Sequence, residues 1–213
     1  MINSGLYGWL QSIGYLAVAM FVGIESLGVP LPGETMLITA AVFAATGKLS
    51  IVGVIAAAII GAVIGDNIGF GIGWFGGYPL LRRFGKYVHL DEAKLKVGRY
   101  IFMRQGAKVV FFGRFVSVLR TYAAFLAGTN HMHWSRFLIA NALGAIVWAT
   151  IYGVGAYAAS SVIAKLSTPV EIGFAALAVV VIVGAAIFVR NNIKRLEAVA
   201  EAALPGPLEG FSA

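Results

Sequence analysis

Apolar residues run along this chain in blocks, separated by glycine, proline and basic clusters. The first block, about Leu6 to Ile24, is long enough to cross a bilayer as a helix. Gly28, Pro30, Pro32 and Gly33 then break it. The next block, Thr35 to Thr46, is too short to cross at about 1.5 Å per residue. A short Pro/Gly-bounded segment between longer ones predicts a re-entrant hairpin. Leu49 to Phe75 is a second full span, interrupted by Asp66 and Asn67. Its Gly61, Gly65, Gly69 and Gly73 recur every four residues, which predicts close helix packing along one face.

From about Tyr78 to Lys108 the pattern changes. Asp91 is a candidate cap for a helix with Leu90, Ala93, Val97 and Ile101 on one face and Lys94, Lys96, Arg99 and Arg104 around the rest. This predicts an amphipathic helix on the cytoplasmic membrane surface. Val109 to Gly128 contains Gly113, Arg114 and Arg120. As one span it would carry two arginines into lipid, so a second re-entrant hairpin is the better reading. Phe137 to Ala164 and Ile172 to Val189 complete four full spans. The expected fold is an all-α integral membrane protein with about four transmembrane helices and two oppositely oriented re-entrant hairpins. Residues 1–195 form one membrane domain, and 196–213 a cytoplasmic tail, helical at first and then disordered around Pro205, Gly206 and Pro207.

Composition agrees: 60% of the residues are hydrophobic and only 12% charged, as in integral membrane proteins. The absence of cysteine excludes disulfides, iron–sulfur clusters and Cys-ligated zinc. Half of the sixteen Lys and Arg residues lie between Arg82 and Lys108, and Arg190, Lys194 and Arg195 form a second cluster. Such clusters read as cytoplasmic anchors that also attract anionic lipid, not as a nucleic-acid site. With the N-terminus inside, only Lys48 and Lys165 fall on the wrong side, and both termini are cytoplasmic. The segment MINSGLYGWLQ has no basic n-region of a cleaved signal.

A faint repeat runs through these blocks. An offset of 83 residues pairs Ala40-Ala41 with Ala123-Ala124, Ala44 with Ala127, Thr46 with Thr129 and Gly61-Ala62 with Gly144-Ala145. Each half is then a hairpin followed by a long span, an inverted repeat of the kind found in transporters.

The candidate chemistry lies in the charges within apolar blocks. Arg114 and Arg120 stand in VVFFGRFVSVLRTYAAFLAG, Glu34 in PLPGETMLITAA and Asp66 in GAVIGDNIGFGIG. An ionised group at bilayer depth costs at least about 2.5–3.5 kcal/mol, so these must face protein or a wet cavity. Guanidinium groups grip phosphate oxygens by bidentate, charge-assisted hydrogen bonds and stay protonated when buried. Two readings stand side by side: Arg114 and Arg120 bind a phosphate, or they form structural ion pairs with Glu34 and Asp66. The two combine if carboxylates hold the arginines until phosphate displaces them. Ser117, Asn141 and Trp148 are candidate cavity-lining residues. His131 and His133, beside Trp134 and Arg136, read as an interfacial loop rather than a metal site, and Trp74, Tyr78 and Tyr87 as interface residues.

These same segments resemble the bacterial DedA family, which shares a domain with eukaryotic membrane proteins of autophagy and lipid scrambling. The similarity covers about residues 25–160, and its most specific element is R-F-x-x-x-x-R joined to G-E and G-D at these separations. The resemblance implies two re-entrant hairpins in a multi-pass protein of the bacterial cytoplasmic membrane. It implies movement of a lipid phosphate, undecaprenyl phosphate above all, with dependence on proton motive force. It makes Glu25 and Glu34 the important acids and Arg114 and Arg120 the important arginines, with Asp66 at the G-D position. Glu25, Glu34 and Asp66 are then the candidates for carrying a coupling proton. Members often have proline where this chain has Ser117, which leaves the second hairpin's shape open.

The leading expectation is a lipid-phosphate transporter that is not an enzyme and needs no cofactor. Its partners are the lipid phosphate, membrane lipids and a coupling proton or sodium ion, and a homo-oligomer is left open. The alternatives are an energy-independent scramblase, a proton- or sodium-coupled antiporter and a membrane lipid phosphatase. The phosphatase needs a histidine near the arginines, and His89, His131 and His133 all lie in polar or interfacial segments. No ATP-binding loop or metal motif is present in the sequence.

Overall fold

The computed structural model describes residues 4–29, 31–84, 92–163 and 197–203. Its helices are α1 (Ser4–Ser26), α2 (Gly33–Ala45), α3 (Ile51–Phe84), α4 (Glu92–Gln105), α5 (Ala107–Gly113), α6 (Ser117–Thr129), α7 (Trp134–Ile163) and α8 (197–203). No strand occurs among the described residues. Two stretches, Ile51–Gly77 of α3 and Trp134–Ser160 of α7, are long and apolar enough to cross a membrane. The span expected at Ile172–Val189 lies outside the described residues, as do Asp91, Tyr87 and both chain termini.

The short second block is one helix, and its hairpin partner is α1 rather than a separate arm. Glu34 N–H donates to Glu25 Oε2 at 3.0 Å near one end of α2. Just beyond its other end, Ser50 N–H donates to the Tyr15 hydroxyl at 2.8 Å and Gln11 Nε2 to the Lys48 carbonyl at 3.2 Å. Hence α2 runs back antiparallel along α1, after a turn that begins at Leu27 and Gly28. Gly33 makes this tight start feasible: a side chain there would collide with Glu25 and with the backbone of Phe21 and Val22.

The block Val109–Gly128 is likewise not one helix. It divides into α5 and α6 around Arg114–Val116, and Gly106, at φ 49°, sets α5 off from α4. Val116 is extended and caps α6, so Ser117 takes the first helical position, where proline is favoured. The helix starts there without it. The side chain of Ser117 is outside the described part.

Small residues set the helix spacing. A methyl at Gly61 would strike the Ala19 carbonyl oxygen of α1, and one at Gly65 would strike that of Gly23. Farther along α3, a methyl at Gly73 would meet the backbone of Phe125 in α6, and one at Gly128 of α6 the backbone of Phe70. The glycine stripe is therefore two contact faces, one for α1 and one for α6. The core is accordingly double. One cluster centres on Val18, Val22, Leu37, Val54, Ala145 and Trp148, the other on Phe70, Phe102, Val109, Val110, Ala127 and Phe137. Helix α2 packs on α7 and α6 packs on α3, so each half's short helix lies on the other half's long one.

Helix α4 is amphipathic but not free on one side. Val97 and Phe102 are buried, and so is Lys96, which binds Glu201 of α8 through both carboxylate oxygens at 2.7 Å. The tail segment expected to be helical thus packs back onto α4.

Candidate functional site

The charges within the apolar blocks meet where the two core clusters adjoin. Asp66 stands in the middle of α3, Arg114 in the turn after α5, Arg120 in the first turn of α6, and Glu25 and Glu34 at the facing ends of α1 and α2. Arg114 Nη1 donates to Asp66 Oδ2 at 2.5 Å and to Asn141 Oδ1 of α7 at 2.6 Å. Arg120 Nη2 donates to Glu25 Oε1 at 2.5 Å, and its Nη1 to Glu34 Oε2 at 2.9 Å.

Glu25 has two tasks. One oxygen holds Arg120 and the other accepts the Glu34 N–H. It thereby satisfies a donor that helix α2 cannot satisfy itself and places negative charge at that helix's N-terminus. No side-chain cap is supplied by Pro32.

Trp148 of α7 lies under both arginines, with its ring centre 5.8 Å from the Arg114 guanidinium and 5.1 Å from that of Arg120. Both are within the range of cation–π attraction. Tyr152, one turn on, stacks obliquely on Trp148 with ring centres 5.6 Å apart.

The two arginine sites differ in access. Arg114 and Asp66 are both 3% exposed. Arg120 is 7% exposed, but its partners Glu25 and Glu34 are 17% and 31% exposed. Between the arginines lies a cavity of ≈ 10 Å³, room for about one water, lined by Asp66, Arg114, Arg120, Asn141, Val110, Ala123 and Ala124. Around it several buried polar atoms have no hydrogen-bond partner: Asp66 Oδ1, Arg114 Nε and Nη2, and Asn141 Nδ2, with Trp148 Nε1 nearby. Buried polar groups are nearly always paired, and the cavity beside these atoms has room for the water or ligand atom that would pair them.

Thus Glu25, Glu34, Asp66, Arg114, Arg120, Asn141 and Trp148 come together. His131 and His133 do not: His131 meets Trp74 edge-on at 4.8 Å, and His133 Nδ1 is 2.9 Å from Ser135 Oγ. Among the described residues no group of three His, Cys, Asp or Glu side chains is placed to hold a metal. The sequence missed Tyr152 and the Asn67–Trp134 bond (3.0 Å) that ties α3 to α7. A polar residue in a long apolar span was the available signal for both.

Comparison with known proteins places this arrangement in context. The VTT domain family matches residues 31–158, more than half of the chain. An uncharacterized membrane protein of Synechocystis is 39% identical over 141 residues, 66% of this chain and 65% of that protein. The chain thus spans just under two thirds of that relative's length. Undecaprenyl phosphate transporter A of Bacillus subtilis is 30% identical over 149 residues, 70% of this chain and 73% of that one. An alkaline phosphatase-like protein of Lactococcus lactis is 27% identical over 144 residues, 65% of this chain and 67% of that one. No solved structure matches the chain.

Proposed function

We propose that this membrane protein, which belongs to the VTT-domain (DedA) family, moves a lipid phosphate across the cytoplasmic membrane, with undecaprenyl phosphate as the prime substrate. One observation carries the reading: two buried arginines on a single tryptophan ring, one anchored on Asp66 and the other held by the more exposed Glu25 and Glu34, which an anion would replace. Guanidinium pairs in a site of low dielectric bind phosphate strongly, and the interrupted helices around them supply further N–H donors. In this reading α1–α2 and α5–α6 are re-entrant hairpins whose turns meet at mid-membrane, so that Leu6–Ile24 is a hairpin arm and not the full span expected from its length.

The stoichiometry suggests how the anion is admitted. Two guanidiniums face three carboxyls, Glu25, Glu34 and Asp66. With all three ionised the cluster is already anionic, so phosphate enters only when a carboxylate leaves or takes up a proton. Glu34 is the most exposed of the three and is the natural leaving group. A proton taken up in exchange for the arginine keeps the site's charge balanced, which links the lipid to proton motive force. Hydrolysis is the less favoured chemistry, since neither described histidine stands among the residues around the arginines.

The test uses purified protein in liposomes, with labelled undecaprenyl phosphate and phosphatidylethanolamine each on one leaflet. Wild type is expected to move the phosphate lipid, and Arg120→Ala to lose most of that rate. If Arg120→Ala matches wild type, the reading fails. Equal movement of both lipids without a gradient indicates a scramblase instead. If Glu34→Gln transports as wild type does under every imposed pH gradient, Glu34 is not the coupling group.

A further inference from the structure

The orphaned atoms around the small cavity have a definite polarity. Arg114 Nε, Arg114 Nη2 and Asn141 Nδ2 are donors and Asp66 Oδ1 is an acceptor, and the Asn141 side chain lies close enough to the Asp66 carboxylate to act on it. Arg114, Asp66 and Asn141 are all nine-tenths or more buried. A ligand that offers only acceptors would satisfy the three N–H groups and leave the Asp66 oxygen facing a negative oxygen. A hydroxyl corner instead donates to the Asp66 oxygen and accepts from the N–H groups around it. The cavity has room for about one water-sized group, so it takes one corner of a tetrahedral headgroup and not the whole of it.

We propose that Asp66 and Asn141 make the site selective for a singly protonated phosphomonoester, whose P–O–H is the corner that enters the cavity, donating to Asp66 Oδ1 and accepting from Asn141 Nδ2 and Arg114, while its other oxygens stay outside and accept from Arg120. The inference rests on the lipid-phosphate reading and deepens it. The headgroup then carries a proton of its own, besides any that Glu34 takes up. A phosphodiester has no O–H and is refused, and so is the doubly ionised monoester.

The groups that act on Asp66 are Arg114 and Arg120 of the α5–α6 segment and Asn141 of α7, while Glu25, Glu34 and Tyr152 reach it only through Arg120. The experiment needs a ligand whose own charge does not change with pH. An alkyl sulfate has the same tetrahedral shape and single charge as the phosphate monoanion but no O–H.

The experiment therefore compares a labelled prenyl phosphate with the prenyl sulfate of equal chain length, in the same proteoliposomes, at pH 5.5 and pH 8. The second ionisation of a phosphomonoester lies near pH 6. Wild type is expected to move the phosphate roughly tenfold or more faster at the lower pH, and the sulfate at under about a tenth of that rate. Asp66→Asn turns the inner acceptor into an amide able to donate. It is expected to raise the sulfate-to-phosphate ratio severalfold, a gain that misfolding cannot produce. Equal movement of sulfate and phosphate by wild type at pH 5.5 overturns the inference while leaving lipid-phosphate transport intact. So does a phosphate rate that is flat with pH. If neither lipid moves faster than in protein-free vesicles, the transport reading falls and takes this one with it.

Discussion

The two halves of the molecule share a scaffold and differ in chemistry. Helix α3 begins at Ile51 and α7 at Trp134, 83 residues apart, and α2 and α6 are both 13 residues long. At that offset Ala40, Ala41, Ala44, Gly61 and Ala62 correspond to Ala123, Ala124, Ala127, Gly144 and Ala145, and all ten are buried. The site residues follow no such rule. Arg120 corresponds to Leu37, Asn141 to Ala58, Trp148 to Gly65 and Asp66 to Ala149. Small residues fix how closely backbones approach, and both halves need that equally. Charge is segregated instead: the first half supplies Glu25, Glu34 and Asp66, and the second supplies both arginines and their tryptophan. Neither half contains a site by itself.

The arginines offer the largest test of this division. Arg114→Ala leaves Asp66 buried without its cation, and breaking a buried pair from one side costs about 3–5 kcal/mol. Arg120→Ala frees Glu25 and Glu34, which have water in reach, so about 1–2 kcal/mol is expected. In detergent, the melting temperature should therefore fall much further for Arg114→Ala, although both variants lose transport. Equal loss of stability would show that the two ion pairs are not an anchor and an exchangeable contact.

A repeat-related pair of glycines tests the shared scaffold. A methyl at Gly61 runs into the Ala19 backbone, which cannot yield, and overpacking of this kind costs about 1–3 kcal/mol. A methyl at Gly144 meets the Phe111 carbonyl oxygen at 3.3 Å and the Arg114 side chain at 3.5 Å, a much milder contact. There the gain in helix propensity, about 1 kcal/mol from Gly to Ala, offsets most of the cost. Gly61→Ala should lower the melting temperature by several degrees and Gly144→Ala should barely move it. A similar drop for both would mean that the two glycines carry the same load and the halves pack more alike than these distances indicate.

What the sequence reveals follows the same division. The break after Ile24, the short length of α2, the interruption within Val109–Gly128 and the charges Glu34, Asp66, Arg114 and Arg120 in apolar blocks are all local patterns, legible within a window of about twenty residues. The pairing of those charges is not local. Linking Arg114 to Asp66 joins residues 48 apart, and linking Arg120 to Glu25 joins residues 95 apart. No periodicity distinguishes these partners from the converse. Trp148 and Asn141 are visible as outliers in an apolar span, but their position beneath and beside the arginines depends on how α7 lies against α2 and α5. The burial of Lys96 is not legible either: nothing local in the sequence marks it, and its partner Glu201 lies 105 residues away.

Lys96 also provides the smallest expected effect. Its side chain is 6% exposed, whereas Glu201 is 59% exposed. Coulomb attraction in such a pair is offset by the desolvation of the lysine, and an apolar side chain of similar length often serves as well. Lys96→Met keeps the packing against α8 and returns Glu201 to water. The change in stability should stay within about 1 kcal/mol, because an exposed partner limits what the pair contributes. Transport should be unaltered, since this contact belongs to the α4 edge and not to the meeting of the halves. A large loss of transport in a variant that melts normally would tie α8 to the site and give the second half a function that has no counterpart in the first.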